Sequence, residues 1–172
     1  SNKLNFWLTD MYIFQPGTDS INLTRFAGIL SKGVLLSGAG RYNLYLNTCV
    51  ENSFTGGVFD ISTDYQIYLD NPCQKTLITD NYIGGGGGGI TMLGDHLGEQ
   101  IRGNTFNDNR NLLTDREIYI EGSGTSGILV ADNWFQQANA WSTAVWVADG
   151  PDYIILQGNS LDRLTQPAIN FV

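Results

Sequence analysis

Carboxylates stand at the ends of short alternating segments of this sequence, where they could carry out acid–base chemistry. Asp70 follows Ile67-Tyr68-Leu69, and Glu121 follows Ile118-Tyr119-Ile120. Two such groups can cleave a glycosidic bond, because one carboxylic acid protonates the leaving oxygen while the other carboxylate activates water. If the segments are strands stacked two layers apart, the two groups are roughly 10 Å apart, near the upper end of the spacing that admits this water. Asp70 and Glu121 are therefore the first catalytic candidates.

Two further carboxylates border the same segments. Glu117 precedes Tyr119, and Asp149 lies in the loop after Trp146. The alternative for all four catalytic candidates is an ordinary solvated charge at the end of a strand. A second acidic row is interpreted as turn-forming, because Asp accepts local backbone hydrogen bonds; its members are Glu51, Asp80 and Asp132.

The central residues of the alternating segments form a candidate substrate-binding row. Strand alternation turns them to the outer face, and most of them are aromatic. Exposed aromatic residues in a row are uncommon unless something covers them. We expect a sugar, with a neighbouring subunit or an overhanging loop as alternatives. The row consists of Tyr68, Thr91, Tyr119, Trp146 and Asn170.

A repeated motif indicates how these segments are positioned. An apolar residue, two spacers, Asn, one spacer and a second apolar residue recur with steps of 29, 23, 29 and 26 residues between Asn positions. Repetition in this range is typical of solenoids, and unequal steps indicate loop insertions. Asn tolerates the left-handed conformation of a sharp bend, and its amide can bond to adjacent coils. The repeated residues are Asn52, Asn81, Asn104, Asn133 and Asn159.

The sequence therefore predicts an all-β, right-handed parallel β-helix of about five to six coils. Residues 34–172 form the coils as a single domain, and residues 1–33 form an irregular N-terminal segment or a partial first coil. The glycine run 84–89 is predicted to be the variable loop of its coil. The chain ends in mid-pattern without a polar cap, so we expect a fragment of a longer protein or a protomer that buries its ends in an oligomer.

Composition excludes several classes of partner. The net charge is −8 and the nine Lys and Arg residues form no stripe, which argues against nucleic acid. No apolar run approaches a membrane span. Cys49 and Cys73 are interpreted as buried free thiols, in preference to a disulfide. His96 is expected to be a loop-surface residue, in preference to a metal ligand. No metal or cofactor is predicted.

The coils from residue 34 to residue 172 resemble the pectin-lyase-like β-helix superfamily. Their polar, Asn- and Gly-rich character is similar to that of bacteriophage tailspikes. The resemblance implies a homotrimer, in a virion tail or extracellular, that recognises bacterial surface polysaccharide along the outside of the first sheet. Whether that glycan is also hydrolysed, which would make the protein a depolymerase, stays open.

Two other functions remain as alternatives. In a non-enzymatic segment of a trimeric viral fibre or spike, the aromatic row would be buried between subunits. A secreted polysaccharide lyase would need a basic residue near a uronate and often calcium. Arg102 and Arg116 are the candidates for that base, although Arg102 is expected to lie away from the row. The Asp-Pro-His motif of related epimerases is absent.

Overall fold

The computed structural model describes residues 6–109, 116–136, 143–162 and 168–172. Its strands follow one another in groups of three. The first strands are β1 (Phe6–Thr9), β2 (Tyr12–Phe14), β3 (Ile21–Thr24), β4 (Ile29–Lys32), β5 (Leu35–Ala39), β6 (Leu44–Asn47), β7 (Ser53–Thr55), β8 (Val58–Ser62), β9 (Tyr65–Asp70) and β10 (Leu77–Thr79). They are followed by β11 (Tyr82–Gly84), β12 (Gly88–Leu93), β13 (Gln100–Arg102), β14 (Thr105–Asn107), β15 (Arg116–Glu121), β16 (Ser126–Ala131), β17 (Trp134–Gln136), β18 (Thr143–Ala148), β19 (Asp152–Gln157), β20 (Ser160–Asp162) and β21 (Ile169–Phe171).

Each group of three strands adds one strand to each of three parallel sheets, which we name sheets A, B and C. Sheet A has the order β1-β4-β7-β10-β13-β16-β19, sheet B the order β2-β5-β8-β11-β14-β17-β20, and sheet C the order β3-β6-β9-β12-β15-β18-β21. This arrangement confirms the prediction of an all-β parallel β-helix. Strands β1 to β4 precede residue 34 and pair with the same sheets. The described residues include no helix long and apolar enough to cross a bilayer.

The core lies between the three sheets and consists of apolar side chains stacked from coil to coil. In sheet B the stack runs through Leu36, Phe59, Ile83 and Phe106 to Phe135. All five side chains are fully buried, and the last two rings stack with centroids 4.8 Å apart. Because neighbouring strands in register lie about 4.8 Å apart, identical spacing of apolar residues produces continuous contact along the axis.

The corner between sheets A and B holds an asparagine ladder formed by Asn81, Asn104, Asn133 and Asn159. The amide groups of Asn81, Asn104 and Asn133 bond in both directions along the axis, as predicted, and that of Asn159 bonds to the preceding coil. Asn104 Nδ2 donates to the Ile78 carbonyl at 2.8 Å and to Asn133 Oδ1 at 3.0 Å, and its Oδ1 accepts from the Asn81 backbone N–H and Nδ2 at 3.0 Å. These bonds satisfy buried polar groups that would otherwise destabilise the corner.

Two details of the asparagine prediction are wrong. The left-handed conformation belongs to the residue that precedes each ladder Asn, such as Asp80 (φ 57°) and Gly103 (φ 63°), and not to the Asn itself. Asn52 lies outside the ladder, because it directly precedes β7 of sheet A at the corner between sheets C and A. The corresponding A-to-B corner of its coil is Gly56-Gly57, where Gly57 donates to Asn81 Oδ1 at 2.8 Å.

The glycine run is also different from the prediction, since it forms a tight corner and not a variable loop. Gly84 ends β11, and Gly88 and Gly89 begin β12. Side chains cannot be accommodated here because neighbouring coils approach closely. A Cβ on Gly89 would overlap the Glu117 carbonyl oxygen, and a Cβ on Gly86 would overlap the Gln66 amide. The glycines therefore leave room at this corner for the Gln66 side chain and for the backbone of Glu117.

Candidate functional site

The outer face of sheet C carries the predicted row in one register. Tyr68 pairs with Thr91, Thr91 with Tyr119, Tyr119 with Trp146, and Trp146 with Asn170. The row continues beyond the predicted residues to Tyr45, which pairs with Tyr68. Its aromatic members are half-buried, whereas Thr91 is only 1% exposed. Thr91 therefore lies beneath the surface and offers little contact to a ligand.

The N-terminal part of the row is a cluster that the sequence analysis only partly identified. We call it the N-terminal cluster; it contains Arg41, Tyr42, Tyr45, Tyr65, Tyr68 and Asp70. The Tyr42 and Tyr68 rings stack with centroids 4.6 Å apart, and the Tyr45 and Tyr68 rings with centroids 5.7 Å apart. The Arg41 guanidinium lies 4.7 Å from the Tyr42 centroid. The sequence contains a usable signal, because Leu44-Tyr45-Leu46 alternates like the later segments and lies 23 residues before Ile67-Tyr68-Leu69.

The C-terminal part of the row is a second cluster with a related composition. We call it the C-terminal cluster; it contains Arg116, Tyr119, Glu121 and Trp146. The Arg116 guanidinium lies 4.3 Å from the Tyr119 centroid and 4.1 Å from the Trp146 centroid. Such cation–π contacts stabilise each group by roughly 0.5–2 kcal/mol. The ring faces are therefore partly covered by the chain's own arginine, and ring edges and hydroxyl groups remain on the outside.

Each cluster joins a tyrosine hydroxyl to a carboxylate. Tyr45 Oη donates to Asp70 Oδ2 at 2.6 Å, and Asn47 Nδ2 donates to the same oxygen at 3.2 Å. Tyr119 Oη donates to Glu121 Oε2. Burial, followed by the hydrogen bond to Glu121, raises the pKa of Tyr119 to about 12. The hydroxyl consequently remains protonated at neutral pH and acts as a hydrogen-bond donor.

The register puts Asp70 and Glu121 on the same outer column. Leu93 of β12 lies between them, so they are two strand spacings apart, roughly 10 Å between backbones. The sequence-based spacing therefore matches the register of the strands. Asp149 is exposed at the left-handed turn that follows β18, with φ 59°. Their catalytic roles stay predictions.

Glu117 lies inside the coil and not beside the outer row. Glu117 and Ile118 are both fully buried, and the ladder to β18 skips Glu117. Two successive inward residues break the alternation at a bend in β15, where the pairing with β18 continues without an inserted residue and Tyr119 again lies on the outer face. Asn109 Nδ2 donates to Glu117 Oε2 at 2.6 Å, and burial raises the pKa of Glu117 to about 8. This acid is separated from any ligand on the outer face by the sheet itself.

The predicted surface position of His96 is likewise wrong. His96 is fully buried at the corner between sheets C and A, where Nε2 lies 3.1 Å from the Leu93 carbonyl oxygen. Its Nδ1 lies 3.9 Å from Glu99 Oε1, and burial raises the pKa of Glu99 despite the opposing effect of His96. Cys49 and Cys73 are buried free thiols, as predicted. Among the described residues, no group of three or more His, Cys, Asp or Glu is arranged to hold a metal ion.

The remaining sequence candidates are dispersed. Arg102 belongs to β13 of sheet A, where its Nη2 lies 3.6 Å from Asp132 Oδ2. Asn170 is half-buried at the last strand of sheet C. Glu51 lies 4.0 Å from the Lys75 ammonium at the C-to-A corner, so it does not share a row with Asp80 and Asp132. Of the two candidates for the basic residue of a lyase, Arg116 therefore lies on sheet C and Arg102 does not.

Comparison with known proteins supports the architecture at the level of a family. A model of the right-handed β-helix region matches residues 6–162, which covers most of the chain. No curated protein and no solved structure matches the chain. Because the matching family is right-handed, the match confirms the predicted hand of the helix. The chain belongs to the right-handed β-helix family.

Proposed function

We propose that the outer face of sheet C binds a polysaccharide. The β-helix fold is consistent with polysaccharide binding or with a structural role. One observation favours binding, namely that an arginine over an aromatic ring and a tyrosine–carboxylate hydrogen bond occur together twice on one face. Tyr45 and Tyr119 are three strand spacings apart, roughly 14 Å. A repeated arrangement along a straight axis suits a polymer with repeating units.

The chemistry of the two clusters suits sugar hydroxyl groups. Carboxylate oxygens accept hydrogen bonds, tyrosine hydroxyls donate and accept them, and guanidinium groups donate them. Rings backed by arginine supply a rigid apolar support, and their edges contact the ligand. Recognition on this face consequently depends on hydrogen bonds at ring edges more than on a sugar stacked flat against an open ring.

A binding screen tests the proposal. The labelled chain is applied to an array of bacterial polysaccharides, and the affinity for each bound glycan is then measured by calorimetry. We expect Trp146→Ala and Tyr45→Phe each to weaken binding at least fivefold. Ser160→Ala, on the outer face of sheet B, is the control and leaves the affinity unchanged. Equal affinity for all four proteins would contradict binding on sheet C.

Hydrolysis of the bound glycan is the extension of this proposal. Glu121 and Asp70 would act as the acid and base pair, in either order. New reducing ends appear if the glycan is hydrolysed, whereas absorbance of an unsaturated uronate indicates elimination by a lyase. Glu121→Gln should abolish the release of reducing ends while the folded chain still binds. If both products are absent, the face is a binding surface only.

A structural role in a trimeric spike or fibre is the second candidate. Its support is the exposure of large apolar side chains on the other two sheets, including Trp7 and Leu30 on sheet A and Trp134 on sheet B. Such residues are commonly covered at subunit interfaces. Light scattering after size exclusion tests this candidate: a trimer that Trp134→Ser dissociates would support it, and a monomer at high protein concentration would contradict it.

A further inference from the structure

We propose that the outer face of sheet C selects glycans that lack acidic sugars, an inference that rests on the proposed polysaccharide-binding function. The carboxylates beside its aromatic rings include Asp19, Asp70 and Glu121. Among the described residues, Arg41 and Arg116 are the arginines that contact these rings. The chain as a whole is also negatively charged, with a net charge of −8.

The positive charge of Arg41 is already neutralised within the chain. Its Nε donates to Asp19 Oδ1 at 2.8 Å and its Nη2 donates to Asp19 Oδ2 at 2.5 Å. The Asp19 side chain is only 4% exposed, whereas the Arg41 side chain is 47% exposed, so a buried carboxylate holds a guanidinium that lies at the surface. Two parallel bonds of this kind also occupy one edge of the guanidinium, the Nε and Nη2 edge, which is then closed to a ligand carboxylate.

Arg116 is engaged in a different way. Its guanidinium lies over both rings of the C-terminal cluster, within 4.3 Å of each centroid. Glu121 lies on the same strand and accepts a hydrogen bond from the Tyr119 hydroxyl. A ligand carboxylate that approached Arg116 would therefore also meet the Glu121 carboxylate. Moving the guanidinium toward a ligand would forfeit the two ring contacts.

Among the described residues, no Lys or Arg donates a hydrogen bond to Asp70 or Glu121 in the way that Arg41 donates to Asp19. Their hydrogen-bond donors are neutral: the hydroxyl of Tyr45 and the amide of Asn47 for Asp70, and the hydroxyl of Tyr119 for Glu121. A uronate placed within a few ångströms of either is repelled, because like charges at that distance interact strongly near a protein surface. Hydroxyl, acetamido and amino groups, in contrast, can donate to these oxygens.

A matched pair of polymers provides the test. An acidic bacterial capsular polysaccharide is compared with the same polymer after its carboxyl groups have been reduced to hydroxymethyl groups, and the comparison is repeated for each glycan bound on the array. We expect the reduced form to bind at least tenfold more tightly at low salt. The difference should shrink at 1 M salt, where the screening length is about 3 Å.

Charge-removing variants identify the responsible groups. In the double variant Asp70→Asn with Glu121→Gln, the preference for the reduced polymer should fall below threefold. Asp152→Asn, which removes a carboxylate from sheet A, is the control for net charge and should keep the full preference. If the acidic polymer binds as tightly as its reduced form, the selectivity is refuted although the binding function stands. If no glycan binds at all, the proposed function itself fails.

Discussion

The asparagine ladder and the outer row of sheet C are both columns of polar side chains repeated from coil to coil, yet they have different roles. In the ladder, every amide of the interior members is buried and bonded to the same residue type above and below. The outer row contains different residue types, and the hydroxyls of Tyr45 and Tyr119 donate to carboxylates. A column of identical, buried side chains whose hydrogen bonds are all made thus supports the fold. A column of different, half-exposed side chains remains available to a ligand.

The largest expected effect comes from interrupting the ladder at its centre. Asn104→Ala removes two donated and two accepted hydrogen bonds, including those of the Asn81 backbone N–H and the Ile78 carbonyl to the Asn104 side chain. We expect the free energy of unfolding to fall by roughly 3 kcal/mol, because buried polar groups would lose their bonds. Denaturant unfolding measures the loss.

The control for that variant is an asparagine on the outer face. Asn107 lies on sheet B and its Nδ2 donates to Tyr82 Oη at 3.0 Å. Asn107→Ala should lower the free energy of unfolding by no more than about 1 kcal/mol, since its groups can bond to water. Similar losses for Asn104→Ala and Asn107→Ala would remove the distinction between an inner structural column and outer side chains.

The next effect concerns the strand bend that separates inward from outward residues on sheet C. In Gly89→Ala, the new methyl group would overlap the Glu117 carbonyl oxygen and crowd Phe106. We expect a loss of roughly 2 kcal/mol in the free energy of unfolding, because the well-packed interior must shift. Gly17→Ala is the control, since a Cβ there meets nothing within 4 Å, and it should change stability by no more than about 0.5 kcal/mol.

Glu117 gives the stability of the interior a dependence on pH. Its pKa is about 8 in the folded chain, raised by burial from 4.5. Between these values the unfolded chain loses the proton and the folded chain keeps it, so the stability contributed by this group falls as pH rises from about 4.5 to 8. In Glu117→Gln this part of the pH dependence should disappear.

The measurement is the free energy of unfolding at pH 5 and at pH 8 for both proteins. We expect the wild-type chain to lose about 2–4 kcal/mol more than Glu117→Gln between the two values, since one unit of pKa shift corresponds to about 1.4 kcal/mol. Glu121→Gln serves as the control on the outer side of the same strand. Parallel pH profiles for wild type and Glu117→Gln would show that the carboxyl is charged in the folded chain.

The smallest effect on stability is expected in the outer row. Tyr119→Phe removes the hydroxyl that donates to Glu121 but keeps the ring beneath Arg116. The free energy of unfolding should change by about 1 kcal/mol or less, because both groups can bond to water. Glycan affinity, measured by calorimetry, should fall at least threefold. A large loss of stability without a change in affinity would indicate that this row, too, is structural.

Much of the fold could be predicted because register in a β-helix is recorded in sequence spacing. Segments such as Ile67-Tyr68-Leu69 and Ile118-Tyr119-Ile120 recur with the alternation that one buried face requires, and the structure pairs them as expected. The same spacing identified the outer row. It failed for Asn52, because an Asn before a Phe occurs at two different corners and the local pattern does not distinguish them.

The positions of Glu117 and His96 could not be predicted for a different reason. Strict alternation turns Glu117 outward with Tyr119, and only the bend at the sheet B to sheet C corner, shared with Gln66 and Gly89, turns it inward. His96 has a polar, glycine-containing sequence neighbourhood that is typical of surface loops. Its burial depends on Thr125, 29 residues later, and on Glu99, whose side chain is also inside.

The sequence by itself determined the repeat, the parallel sheets, the register of the outer row and the identity of most ladder residues. These properties follow from spacing alone, since one period of apolar and turn residues fixes which side chains stack. Only the tertiary structure decided which acids are inside, which rings are covered by arginine and which arginine is neutralised by Asp19. Those outcomes depend on contacts that include partners more than twenty positions apart, such as Arg41 with Asp19 and Arg116 with Trp146, and on packing between coils.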